Sequence, residues 1–255
     1  MSTFLWQEIV FGPIHSRRLG SSLGINLLPV SGKACNFDCI YCECGWNKDG
    51  RTTESLPTFQ DISREMRSKF KQLHFEGTLI DTITFSGNGE PTVHPDFPAI
   101  IDLTLELRNQ YFPNAVVSVL SNATTAHKKE IRDALDNPIM KLDGGSDRLI
   151  GLVNRPPAGY SSEKVLNALK AFKGKFILQT MFLKGEADGT VIDSTESGNV
   201  ENWMESVREL KPREIMIYTI DRETPAKSLQ KVPVMEMETI AEKLRNEGFY
   251  VQVCG

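Results

Sequence analysis

Apolar positions along the chain follow two periods in turn. Ser22–Val30 is an apolar run bounded by Gly20 and Pro29, and it reads as a strand. Phe59–Leu73 places apolar residues at 59, 62, 66, 70 and 73, a helical period entered through Pro57 and Thr58. Leu79–Phe85 is a strand ending near Gly87, and Asp96–Tyr111 is a helix with Pro98 in its first turn. Ala115–Leu120 is a valine-rich strand, Ala126–Leu135 a short helix stopped before Asn137 and Pro138, and Ile139–Leu142 a short strand. Ser162–Phe172 is a helix capped by Ser161 or Ser162 and ended by Gly174. Phe176–Leu183 follows as a strand, Val200–Leu210 as a helix stopped before Pro212, and Glu214–Ile220 as a strand. Met235–Glu247 is a helix ended by Gly248, with Phe249–Val253 as a last strand.

Six strand–helix units in series predict an α/β fold with parallel strands and outer helices. Six are too few to close an eight-stranded barrel, so the expected architecture is an open, partial (β/α)6 barrel. Nothing along the chain reads as a repeat, a low-complexity tract or a linker. One domain is therefore expected over residues 1–255, with 1–21 as an N-terminal extension and 248–255 as a C-terminal tail. Ligands of such sheets bind at the C-terminal strand ends. Those ends carry Cys35, Cys39 and Cys42, then Ser86–Thr92, Ser121 and Asn122, Lys141 and Asp143, Gln179, and finally Tyr218, Asp221 and Arg222.

Composition narrows the class. The chain has 255 residues, a net charge of -4 and ordinary hydrophobic (40%) and charged (24%) fractions, as a globular protein does. No apolar stretch has the length of a membrane span, and the N-terminus has no signal-peptide pattern, so a cytoplasmic protein with no membrane partner is expected. The acidic total argues against a dominant nucleic-acid surface, although residues 1–72 carry nine Lys or Arg against seven Asp or Glu. Residues 185–209 carry seven acids and one Arg, in and after a long Gly-, Ser- and Thr-rich segment, Lys184–Asn199. That segment reads either as a lid or as a surface loop.

The sharpest chemical signal is Cys35-Asn-Phe-Asp-Cys39-Ile-Tyr-Cys42, directly after the first strand. Three thiolates at this spacing can hold three corners of an iron–sulfur cube and leave one iron without a protein ligand. A zinc site using Cys44 as fourth ligand would crowd four thiols into ten residues, unlike paired knuckles separated by a loop. Cys254 reads as a bystander thiol.

The spacing with Tyr41 before the last cysteine resembles the signature of the radical S-adenosylmethionine (radical SAM) superfamily. Gly87-Asn88-Gly89-Glu90-Pro91, after the second strand, looks like that superfamily's glycine-rich motif. The resemblance implies a 4Fe-4S cluster on Cys35, Cys39 and Cys42. It implies S-adenosylmethionine chelated at the open iron, cleaved by one electron to methionine and a 5′-deoxyadenosyl radical that takes hydrogen from a substrate. An electron donor such as flavodoxin or ferredoxin is implied with it. Gly87, Asn88, Gly89 and Glu90 would meet the methionyl part and Tyr41 the adenine. Ser121, Asn122, Lys141 and Asp143 would meet the ribose and carboxylate, and Gln179 and Tyr218 would join them if strand parity turns them inward. For each of these a turn residue or a solvated charge is the competing reading.

The run Gly12-Pro-Ile-His15-Ser-Arg17-Arg18-Leu-Gly20, with Lys33-Ala-Cys35 and Tyr218-Thr-Ile-Asp-Arg222, looks like the wyosine-synthase-related group of that superfamily. That group includes enzymes that modify guanosine in tRNA. Wyosine synthases carry a second set of N-terminal cysteines and a Schiff-base lysine, whereas here no cysteine precedes Cys35. Three functions follow as expectations: a radical enzyme acting on RNA or a nucleotide, a glycyl-radical activase acting on a partner protein, or a non-enzymatic iron–sulfur or zinc protein. Arg17 with Arg18, and Arg222, read as anion grips or as surface ion-pair partners.

Overall fold

The structure, a computed structural model, describes residues 4–16, 18–47 and 55–255. An antiparallel hairpin opens the chain, with β1 at Val10–Ser16 and β2 at Gly20–Ile25. Then follow α1 (Phe59–Phe75), β3 (Thr82–Phe85), a 3-10 turn at Pro91–Val93, α2 (Phe97–Tyr111) and β4 (Val116–Ser121). Next come α3 (Lys129–Asp133), β5 (Asn137–Lys141), α4 (Asp147–Asn154), α5 (Ser162–Lys170) and β6 (Ile177–Met181). The chain continues with β7 (Leu183–Ala187), β8 (Thr190–Asp193), α6 (Ser197–Leu210), β9 (Glu214–Tyr218), β10 (Ser228–Lys231), α7 (Val234–Asn246) and β11 (Val251–Cys254). The main sheet has the order β1-β2-β3-β4-β5-β6-β9-β11, parallel from β2 onward. The curled, parallel half-barrel matches the expected architecture.

Helix α1 buries Ile62, Met66, Phe70 and Leu73, the stripe that its period predicts, and Thr58 caps it by accepting from the Asp61 amide. These side chains join Leu23, Ile25, Val117 and Val119 in the core between sheet and helices. The opposite sheet face lines the barrel interior. On it Ile139, Ile177 and Met216 form a small apolar floor, and Leu19 of the hairpin turn packs onto it.

The last strand expected at Phe249–Val253 is present as β11, paired with β9. Three elements differ from expectation. Strand β1 lies in the segment read as an extension; Pro13 interrupts its apolar run, as an edge strand with a register shift permits. Helix α4 is too short for a periodic signal. The segment Lys184–Asn199 is not a bare loop: β7 and β8 pair through a two-residue turn at Asp188-Gly189, both at positive φ, and β10 pairs with β7. Asp-Gly is the hairpin signal at that point of the sequence.

Candidate active site

The loop after β2 carries the three cysteines, and three sets of hydrogen bonds clip it in place, two of them between backbone groups. Ala34 forms a parallel bridge with Gly89: its amide donates to the Asn88 carbonyl (2.9 Å), and its carbonyl accepts from the Glu90 amide (3.0 Å). A Cβ on Gly89 would lie 2.0 Å from the Ala34 carbonyl oxygen, and one on Gly87 2.4 Å from Asn26 Oδ1. Both glycines sit at φ near +140° (138° and 140°). They are therefore required by chain-to-chain contact. The second clip is the end of α4, where Asp38 and Ile40 donate to the carbonyls of Asn154 and Val153, each at 3.0 Å. The third is internal. Buried Lys33 donates to the Gly45 carbonyl (3.0 Å) and reaches Asp38 (3.4 Å), while Asn47 donates to the carbonyls of Cys35 and Phe37.

Cys35, Cys39 and Cys42 line one cavity of about 290 Å³ with Gly87, Gly89, Glu90, Ser121, Asn122, Lys141, Gln179 and Tyr218. Burial pushes the Cys35 thiol up, and Glu90 and Cys39 add to this. Burial also raises Cys39, to about 11, against the attraction of Lys141. Cys42 is held below the ordinary thiol range by a hydrogen bond from Cys44 and by the charge of Lys33. Burial opposes the charge on Lys33, but the three nearby sulfurs and Asp38 hold its ammonium on. The Lys33 cation favours thiolate, the form that ligates metal, at Cys42 and, against the larger effect of burial, at Cys35.

Opposite the cysteines stands a network around Asp143. Its carboxylate accepts from the Tyr41 hydroxyl, from Asn154 Nδ2 (2.7 Å) and from the Met181 amide (2.8 Å). Lys141 Nζ lies 3.5 Å from Asp143 and donates to Tyr41 (2.7 Å) and Tyr218 (3.2 Å). Burial works against the Lys141 charge, yet Asp143, Tyr218 and Cys39 together outweigh it and raise the ammonium pKa. Burial, reinforced by Asp143, drives the Tyr41 phenol well above its usual value, and burial raises that of Tyr218. Glu90 completes the wall. It accepts from Thr92 N (3.2 Å), Thr92 Oγ1 (2.6 Å) and the Asn122 amide (2.6 Å), and burial raises its pKa against these bonds.

Most of the residues singled out from sequence thus meet at one cavity, and two do not face it. Asn88 turns away: its amide donates to the carbonyls of Trp6 and Pro29 and accepts from the Trp6 amide, tying the N-terminal segment down. Asp143 is wholly buried behind Tyr41 and Lys141 and orients them. Glu90 directs its carboxylate at Thr92 and Asn122. Strand register explains Gln179: Lys141 pairs with Gln179 and Gln179 with Met216, which puts all three on the barrel-facing side. Sequence reasoning did not single out Asn154, whose amide reaches Asp143, Tyr41 and the Cys39 sulfur (3.4 Å). It quoted Lys33 without giving it a role. No periodic signal marks either. Cys44 lies in the same wall, its sulfur 3.6 Å from the Gly87 carbonyl.

A second cavity of about 370 Å³ adjoins the first and shares Arg18, Tyr41, Glu43, Cys44, Gly87 and Tyr218 with it. Arg222 is on its rim, paired with Glu43 at 2.6 Å. Arg17 lies outside the described residues.

The donor set fits an iron–sulfur cluster with one open corner: three cysteine sulfurs share a cavity whose remaining wall is polar and can receive an amino-acid-like ligand. Comparison with known proteins agrees. Residues 30–198 match the radical SAM superfamily. A UPF0026 protein of Synechocystis is 30% identical over 87% of this chain and 78% of its own length. Another, of Methanocaldococcus jannaschii, is 29% identical over 94% and 71%. A protein named GTPase Obg of Brachyspira hyodysenteriae is 30% identical over 90% of this chain, which spans only 32% of that protein. Among solved structures, a radical SAM methyltransferase of Sphaerobacter thermophilus superposes with a TM-score of 0.70 at 16% identity, covering 91% of this chain and 65% of its own. TYW1 with a lysine–pyruvate adduct superposes with a TM-score of 0.59 at 13% identity, over 88% and 73%. Sequence match, fold and cavity together show that the chain belongs to the radical SAM superfamily and is a radical SAM enzyme.

Proposed function

We propose that Cys35, Cys39 and Cys42 hold a single 4Fe-4S cluster and that the 290 Å³ cavity receives S-adenosylmethionine. When bound, these groups supply a one-electron cleavage of the sulfonium and a carbon-centred radical for hydrogen abstraction. The chain's own residues do the rest. Gly87 and Gly89 hold the cysteine loop against β3 by backbone contact. Lys141, kept cationic by Asp143, pairs the cosubstrate carboxylate, and Asn122 and Gln179 hydrogen-bond its hydroxyls. Tyr41, pinned by Asp143 and Asn154, covers the adenine side and helps exclude water. The observation that carries this reading is the convergence of the three sulfurs and these polar groups on one cavity.

The substrate lies in the adjoining 370 Å³ cavity, whose exposed rim residues His15 and Arg222 open it to solvent. The substrate class put first is a nucleobase of RNA, supported by the resemblance to the wyosine-synthase-related group and by the fold shared with TYW1. A flavodoxin or ferredoxin supplies the electron. Anaerobic reconstitution should load about four irons per chain. Reductant should then turn S-adenosylmethionine into 5′-deoxyadenosine, and its absence with cluster and reductant verified removes the reading. Deuterium from labelled RNA should appear in that product; label from a protein pool instead moves the chain to activase chemistry.

A further inference from the structure

Arg18 lines both cavities, and the cosubstrate contacts proposed above give it no role. Arg18 sits in the hairpin turn between β1 and β2, beside Leu19, which packs on the apolar barrel floor. Its guanidinium stacks over the Tyr218 ring at 4.8 Å. Its Nη1 is buried and has no hydrogen-bond partner among the described residues. An orphaned buried guanidinium nitrogen costs free energy unless a ligand supplies an acceptor. The other charges on this wall are already matched: Arg222 pairs with Glu43 (2.6 Å) and Asp221 with Lys231 (3.3 Å). The rest of the lining is mixed, with an apolar part of Phe4, Trp6, Leu120, Met181 and Ile220 beside the hydroxyls of Ser86, Thr219 and Thr224.

We infer that the second cavity binds a substrate with an oxyanion, carboxylate or phosphate, held by Arg18, and an apolar body lying against Trp6 and Met181. The oxyanion site stands on the geometry; its assignment to the substrate rests on the radical SAM reading above. A planar guanidinium presents parallel N–H donors that suit either oxyanion. The contact over the Tyr218 ring holds the guanidinium at this wall. Arg18 and Tyr218 line both cavities and Tyr218 also accepts from Lys141, so an oxyanion on Arg18 sits at the boundary with the cosubstrate pocket.

Calorimetric binding to the reconstituted holoenzyme with S-adenosylmethionine present tests this, using benzoate, phenyl phosphate and the neutral benzyl alcohol. At least one oxyanion should bind about tenfold or more tightly than the alcohol, as a charge-assisted hydrogen bond requires. Which of the two binds more tightly identifies the head group. Arg18→Gln should lower that affinity about tenfold and leave the weak binding of benzyl alcohol unchanged. Arg18→Lys, which keeps the charge without the fork, should fall between. Arg222→Gln, on the same wall but already salt-bridged, should change it less than about threefold. Equal binding of alcohol and oxyanions overturns the proposal. So does an Arg222→Gln loss equal to that of Arg18→Gln. A third overturning result is Arg18→Gln weakening S-adenosylmethionine instead, which gives Arg18 to the cosubstrate. If Arg18→Gln does not fold, the Lys variant and competition between benzoate and S-adenosylmethionine decide: competition overturns the proposal, independence with weaker binding by Arg18→Lys supports it. Cofactor cleavage by the wild type is measured alongside. Cleavage without oxyanion binding sinks this inference alone, whereas oxyanion binding without cleavage sinks the radical reading and with it the substrate assignment.

Discussion

The two halves of the barrel meet the same cavity with opposite chemistry. On the side of β2, β3 and β4 the interior is lined by small hydroxyls: Ser22 bonds Thr84 (2.9 Å), and Thr82 bonds Ser118 (3.0 Å). The loops above them act through backbone, with Gly87 and Gly89 pressed against Asn26 and Ala34. On the side of β5, β6 and β9 the floor is apolar, and above it sit the Lys141–Asp143 ion pair and Tyr218, which Tyr41 of the cysteine loop joins. One half shapes the cysteine loop by close packing; the other sets charge and orientation through buried side chains. The difference teaches that the two halves should fail differently. Loss of a backbone contact disturbs the cluster loop, whereas loss of a side chain disturbs electrostatics and stability together.

The largest expected effect tests the cysteine loop itself. Cys39→Ala should reduce iron from about four per chain to below about one and abolish 5′-deoxyadenosine formation, read by iron assay and chromatography. Cys44→Ala should keep the iron; if it does not, four-cysteine ligation replaces the three-cysteine reading.

Asp143→Ala should come next, destabilising the fold by about 3–5 kcal/mol in denaturant unfolding, because Lys141 is left as an uncompensated buried cation. A loss below about 1 kcal/mol would show that the charged half owes little to this network.

Gly89→Ala tests the backbone half. Steric overlap with Ala34 and a disfavoured φ should cost about 2–4 kcal/mol. Unlike Asp143→Ala, it should also lower iron loading of the folded fraction. If iron content of the folded protein is unchanged, the Ala34–Gly89 clip does not position the cluster loop.

Smallest of all is Thr84→Val. It removes the partner of the buried Ser22 hydroxyl, while Thr82 keeps Ser118 and the Val116 carbonyl, so the cost should be about 1–2 kcal/mol by the same unfolding measurement. A larger loss would make the hydroxyl ladder as important to the fold as the charged network.

Much of this was legible before any tertiary structure. The helical stripe of Ile62, Met66, Phe70 and Leu73 and the valine-rich β4 carry their periods locally, and the fold follows them. Strand β1 was not legible, because an edge strand broken at Pro13 has no continuous alternation. The small sheet of β7, β8 and β10 was missed although Asp188-Gly189 announces its turn; its polar, exposed strands offer no hydrophobic alternation to frame that turn. Asn154 was invisible for another reason. An asparagine at the end of a short helix carries no local sign that its amide will reach a cysteine 115 residues away in sequence.

Sequence by itself determined the donor set and its spacing, the alternation of strand and helix, and the glycines that allow two loops to touch. These are local properties, set by side-chain chemistry and by which φ values a residue tolerates. Only the tertiary structure decided which polar groups face the cavity. A strand's side chains point inward or outward by parity, and parity depends on register with strands distant in sequence. That register turns Lys141, Gln179 and Tyr218 inward. Long-range packing likewise buries Asp143 behind them, gives Asn88 to the N-terminal segment, and carries Arg18 on its hairpin to the ring of Tyr218.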